Sequence, residues 1–162
     1  MRPTDFAALL QRLLDADVEF ILVGGLAANV HGSARATYDV DVVYRRTPEN
    51  LRRLVDALHP VQPYLRGAPR GLPFVFDADT LLRGLNFTLT TTIGDLDLLG
   101  EVVGGGDYDA LLPESVSIAI FGRSLTCVSL TALIRLKRAA GRPKDLEAIA
   151  ELEALREEQA RG

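Results

Sequence analysis

Several things are scarce in this chain of 162 residues. Its single cysteine, Cys127, excludes an internal disulfide. No cysteine–histidine group has the spacing of a zinc site. No apolar run approaches the roughly 18 residues that cross a bilayer. The start, Met1-Arg2-Pro3-Thr4-Asp5, leads into a helical pattern without the apolar stretch of a secretory signal. A cytoplasmic protein with no membrane partner is the expectation. Positive charge is not in surplus either, with 18 Lys+Arg against 22 Asp+Glu and a net charge of −4. That balance argues against a broad, non-specific coat on nucleic acid. Neither a basic arm nor a set of stacking aromatics argues for RNA by itself. What remains is globular in composition, 48% hydrophobic and 25% charged, at a length that suits one domain with a proper core.

Apolar spacing sets out the elements. Phe6, Leu9, Leu10, Leu13 and Leu14 recur at helical intervals and predict a first helix with Thr4 as its N-cap. Residues 19–23 (EFILV) read as a buried strand that stops at Gly24-Gly25. Helical character resumes over 26–30 and ends at His31-Gly32. Residues 38–44 (YDVDVVY) alternate as a strand. Thr47-Pro48 opens a helix striped by Leu51, Leu54, Val55 and Leu58. Residues 59–72, with three prolines and two glycines, read as loop or edge, and 74–76 as a short strand. Residues 86–92 and 93–99 predict further strands. After the break at Gly104-Gly105-Gly106, 116–121 and 123–128 predict a hairpin about Gly122. Ser129 caps a helix to Ala140, Gly141 ends it, and Pro143 starts the last one. This order predicts a mixed α/β (α+β) fold: a mixed sheet flanked by helices, in one domain over 1–162, with a C-terminal helical part at about 129–158.

The most informative stretch is 24–43, GGLAANVHGSARATYDVDVV. A strand delivers two glycines to the start of a short helix, where bare backbone N–H groups can approach a phosphate. The next strand presents Asp39 and Asp41 two residues apart, about 7 Å along one face. Carboxylates so placed repel each other, and a divalent cation relieves the repulsion. Alone, a glycine pair is a tight turn and a D-x-D pair the solvent face of an edge strand. Their order, with fourteen positions from Gly25 to Asp39, points instead to metal-dependent phosphoryl or nucleotidyl transfer.

Gly24-Gly25 followed by Asp39-Val40-Asp41-Val42 resembles the nucleotidyltransferase superfamily built on the DNA polymerase β palm. The likeness leans to its small prokaryotic branch of AbiEii-type toxins, from abortive-infection and toxin–antitoxin systems. It covers 18–43 and again about 130–152. One departure is that Gly25 stands where many active members carry serine, so that hydroxyl is missing. The resemblance implies a nucleotidyltransferase-like sheet and a third carboxylate from a later strand. In 93–99 (IGDLDLL) both Asp95 and Asp97 share a face, and Asp97, deeper in the apolar run, is favoured.

Leu130, Leu133 and Ile134 define the buried stripe of the 130–140 helix, and the next i+7 position is Lys137. Such a lysine either snorkels or brings its charge to a triphosphate. It should point inward, with Asp97 or Asp145 as its resting partner, while Arg135 and Arg138 face solvent. Arg142-Pro143-Lys144-Asp145 resembles the R-x-K-D element of AbiEii-like proteins, which adds Lys144 and Asp145 to the nucleotide site. Asp145 also suits a first helical turn on dipole grounds alone. His31 reads as a helix end, Arg35 as a loop arginine, and Cys127 as a small apolar residue with no histidine partner.

The leading expectation is an enzyme that moves a nucleotidyl group from an NTP to a hydroxyl acceptor, with Mg²⁺ or Mn²⁺ as cofactor. Asp39, Asp41 and Asp97 form the catalytic and metal set. Gly24, Gly25, Lys137, Lys144 and Asp145 form the nucleotide set. The acceptor stays open among RNA, a tRNA 3′ end, a protein side chain and a small molecule. A nucleotide- or partner-binding module without catalysis is the alternative. One half of a toxin–antitoxin pair with a cognate partner protein is a third. Oligomeric state is left open. A valine at Gly25 is expected to block phosphate at the stability cost of an ordinary turn change.

Overall fold

A computed structural model describes residues 3–162; Met1 and Arg2, part of the start read above for a signal, lie outside the described residues. In chain order the elements are α1 (Phe6–Asp15), β1 (Phe20–Val23), α2 (Gly24–Val30), β2 (Asp39–Tyr44), α3 (Pro48–Leu58), β3 (Tyr64–Leu65), α4 (Ala78–Arg83), β4 (Asn86–Thr91), β5 (Gly94–Leu99), α5 (Tyr108–Leu111), β6 (Ser115–Ile120), β7 (Arg123–Val128), α6 (Leu130–Ala140) and α7 (Pro143–Arg161). The strands form one seven-stranded sheet in the order β3-β4-β5-β2-β1-β7-β6. β2 runs parallel to β5 and β1 parallel to β7, and the other neighbours are antiparallel, so the sheet is mixed as expected.

Period-two alternation divides the two faces. Val40 and Val42 of β2 and Leu96 and Leu98 of β5 are fully buried, on the side where α1 packs with Leu9, Leu10 and Leu13. Their neighbours Asp39, Asp41, Asp95 and Asp97 point to the other side, where α2, α6 and α7 stand. α6 begins at Ser129, whose side chain accepts from the Ala132 N–H, and ends at Gly141 with φ +67°. α7 docks through Ala148, Ile149 and Leu152.

Two local expectations are corrected. Asp5, not Thr4, caps α1, its side chain accepting from the Ala8 N–H at 3.0 Å. The Thr4 hydroxyl is engaged elsewhere: it donates to Tyr38 O at 2.6 Å and accepts from the Asp95 N–H at 3.0 Å. Residues 74–76 are not a strand. Pro73 precedes them, and Phe74 N–H and Asp77 N–H each bond to a carbonyl two residues back. The Phe74 ring instead meets Tyr64 edge-on at 6.0 Å, and the edge strand is β3, inside the tract read as loop or edge.

Candidate active site

The parallel pairing of β2 with β5 sets Asp39 beside Asp95 and Asp41 beside Asp97. Four acids therefore occupy adjacent positions on one face. Asp39, Asp41 and Asp97 each offer an oxygen, and these oxygens all lie within 4.8 Å of one another. Asp95 is outside that group and faces Arg66 instead. Burial, then the charges of Asp39 and Asp97, push the Asp41 carboxyl up to about 8, against the pull of Lys137. Asp39 is raised too, by burial first and then by the charge of Asp97, partly offset by Arg66. Asp41 Oδ1 is buried with no hydrogen-bond partner among the described residues. Closely set hard oxygens with one orphaned acceptor are a donor set suited to Mg²⁺ or Mn²⁺.

The two glycines are both required by contact. Gly24 has φ +73°, and a Cβ there would lie 2.0 Å from Asp41 Oδ2. A Cβ on Gly25 would lie 2.5 Å from Thr37 Oγ1. The Thr37 hydroxyl thus sits where a side chain at position 25 would begin, held only by a 3.4 Å bond to Asp39 O. This corrects the expectation that valine at Gly25 costs no more than a turn change. The added carbons would have to displace Thr37.

Lys137 points inward, its Nζ 3.5 Å from Asp145 Oδ1, and Asp145 rather than Asp97 is its partner. Asp145 is completely buried and also accepts from Arg142 Nε at 2.6 Å and Nη2 at 3.1 Å. Burial raises this carboxyl, but the Arg142 guanidinium and Lys137 outweigh it and hold it below the usual range. Lys144 is exposed on the rim. Arg135 and Arg138 face outward, paired with Glu114 and Glu153. A cleft of about 600 Å³ is bounded by Gly25, Thr37, the three clustered acids and Lys137, with Lys144 at its edge. An apolar chamber of about 290 Å³, between Leu99, Val102, Leu133 and Leu136, shares Asp41 and Lys137 with it.

Arg66 escaped the sequence reading. It follows β3 directly, and its N–H bonds to Thr88 O on β4 at 3.0 Å. From there its guanidinium reaches Asp97 Oδ1 at 2.8 Å, Asp95 Oδ2 at 3.4 Å and Asp39 Oδ2 at 3.7 Å. No spacing rule links position 66 to the acids, since a long-range strand pairing brings it there.

Cys127 does have a histidine nearby, contrary to expectation: His31 Nε2 lies 4.0 Å from Sγ. That nitrogen is also 2.8 Å from Val128 O, and burial pushes the thiol up to about 12, so the pair makes no nucleophile. His31 itself caps the end of α2, as read.

No family model matches the chain, and no curated protein does. Solved structures do. The lincosamide antibiotic adenylyltransferase LnuA, with lincomycin bound, superposes at TM-score 0.61 with 14% identity over 95% of this chain and 99% of its own. An antigenic nucleotidyltransferase-like protein from Paracoccidioides brasiliensis superposes at 0.55 with 16% identity over 92% and 73%. The fold is that of the nucleotidyltransferases. At such identities the likeness speaks for the fold alone, and the chemistry is argued from the site. No helix among the described residues is long and apolar enough to cross a membrane.

Proposed function

We propose that this chain transfers a nucleotidyl group from an NTP to a hydroxyl acceptor. One observation carries the reading: three carboxylates converge opposite Gly24-Gly25, and one of their oxygens, Asp41 Oδ1, is buried without a partner. Asp39, Asp41 and Asp97 would hold Mg²⁺ or Mn²⁺, which when bound offsets triphosphate charge and activates the phosphorus. Gly24 and Gly25 let the β and γ phosphates approach backbone N–H groups at the start of α2, and Lys137 and Lys144 supply positive charge. Asp145 holds Lys137 in place at rest. Asp97 takes the acceptor's proton as its oxygen bonds to the α phosphorus, and the bond from that phosphorus to the bridging oxygen breaks to release pyrophosphate.

The acceptor that suits the cleft best is a small hydroxylated molecule. A volume of about 600 Å³ is in the range of small-molecule sites. The acids lining it and the net charge of −4 give no basic track for RNA. The neighbour LnuA is described as acting on an antibiotic. RNA, a tRNA 3′ end or a protein side chain as acceptor, a toxin–antitoxin role and a cognate partner protein rest on the AbiEii-like stretches alone. The glycine at position 25 favours the second reading, an NTP-binding module without transfer.

The decisive experiment incubates the protein and Mg²⁺ with each NTP, ³²P-labelled at either the α or the γ position, together with cell RNA, cell protein or a panel of hydroxylated small molecules in separate reactions. Label moving from the α but not the γ position to a small molecule supports the proposal. Transfer to RNA or protein changes the acceptor. Tight binding without transfer selects the binding module.

A further inference from the structure

Arg66 has two sets of partners. One is the carboxylate pair Asp39 and Asp97, at 3.7 and 2.8 Å, both members of the clustered triad. The other is Leu89 O, which accepts from Nε at 3.2 Å and Nη2 at 2.7 Å, together with Asp95 at 3.4 Å. Only the first set would be shared with a bound cation. The planar fork of an arginine spans both sets at once, which a lysine ammonium cannot do.

We infer that Arg66 is the resident counter-cation of the carboxylate triad. It offsets the charge of Asp39 and Asp97 before loading, yields both to the divalent ion, and keeps Asp95 and Leu89 O. The inference rests on the metal reading of the triad given above. A divalent ion brings twice the charge and accepts oxygens at about 2.1 Å, well inside the reach of a guanidinium at about 2.8 Å, so it wins the contest. The contest still lowers its affinity below what three carboxylates alone would give. Asp95 gains a role thereby, as the partner that retains the displaced guanidinium. Arg66 is a positioning residue in this scheme, acting through the acids rather than on the substrate.

The test is Mn²⁺ binding to the whole chain without nucleotide, read from the electron paramagnetic resonance of the free ion at fixed ionic strength. Arg66→Gln should bind Mn²⁺ about tenfold more tightly, the order expected when one unit charge leaves a half-buried site. Arg66→Lys should fall between it and wild type. Asp95→Asn should weaken binding in the wild-type background more than in the Arg66→Gln background, because only the former has a guanidinium to retain. Equal or weaker binding by folded Arg66→Gln, judged by its melting curve, overturns the inference. Should Arg66→Gln not fold, Arg66→Lys decides by the same criterion. Asp39→Asn separates the two readings. If it abolishes Mn²⁺ binding while Arg66→Gln leaves it unchanged, the metal site stands and the Arg66 inference fails. If neither wild type nor Arg66→Gln binds Mn²⁺, both fail.

Discussion

Asp41 and Asp97 stand side by side on adjacent parallel strands, in register and on the same face of the sheet. Strand neighbours cannot move apart without breaking the ladder, so their mutual repulsion is built into the fold. Burial first, then the charges of Asp39 and Asp97, push the Asp41 carboxyl up to about 8.

The first prediction concerns pH. The proton on Asp41 must leave before a cation enters, so Mn²⁺ affinity should rise with pH and level off above about 8. Stability should run the other way. The folded chain holds a proton that the unfolded chain releases near the ordinary aspartate value of 3.8, so metal-free stability is greatest on the acid side and declines as pH rises through about 8. Melting in chelator at about pH 6 and about pH 8.5 should show the decline, and Mg²⁺ should reverse it mainly at the higher pH. Asp41→Asn should flatten both profiles. A flat wild-type profile would mean that Asp41 is ionised throughout.

Gly24→Ala combines a positive φ with a methyl group on top of Asp41 Oδ2. It should cost roughly 1–3 kcal/mol in denaturant melts and lower Mn²⁺ affinity as well. A variant as stable as wild type with unchanged Mn²⁺ binding would show that the strand end relaxes freely.

Thr37→Val keeps the shape of the side chain over Gly25 and deletes its hydroxyl. Stability should change by less than about 1 kcal/mol, since the hydroxyl's bond to Asp39 O is long, at 3.4 Å. NTP affinity by calorimetry should fall several-fold if Thr37 supplies the hydroxyl that Gly25 lacks. Unchanged affinity would leave Thr37 as a packing residue.

Lys137→Met and Asp145→Ala should separate binding from folding. Asp145 keeps Arg142 when Lys137 is replaced, so that variant should lose no more than about 1 kcal/mol while binding NTP much more weakly. Removing the fully buried Asp145 strands Lys137 and opens the first turn of α7, and should cost about 2 kcal/mol. Thermal melts paired with NTP titrations check both. Equal stability losses would mean that Lys137 serves mainly to hold α6 to α7.

The parts of the site that a local rule governs were readable in advance. Alternation put Asp39 with Asp41 and Asp95 with Asp97, and helical spacing turned Lys137 inward. The order strand, glycine pair, helix, strand fixed the Gly24–Asp41 juxtaposition. Arg66 and Thr37 were out of reach for a common reason. Arg66 follows a two-residue strand whose position depends on pairing with β4, more than twenty residues on, and Thr37 is placed by how the loop before β2 folds over α2. Asp97 rather than Asp95 joins Asp39 and Asp41 because the parallel pairing sets it in register with Asp41, a long-range relation that alternation within 93–99 does not show. Thr4 lost the cap to its neighbour because its hydroxyl bridges Tyr38 and Asp95, a contact across 91 positions of sequence. The short helices α4 and α5 did have legible caps, Asp77 and Asp107, but each spans too few residues to show a period.

On β2 and β5 every acid of the site is followed by an apolar residue that faces the opposite side, and Val40, Val42, Leu96 and Leu98 are fully buried there. Shape and chemistry are thus written on alternate letters of the same words. A single exchange of a clustered acid for its amide would remove a proposed metal ligand without disturbing the hydrophobic layer beneath it. Descendants of such a chain can stop reacting while continuing to fold and to bind, and selection on shape alone would not notice the loss.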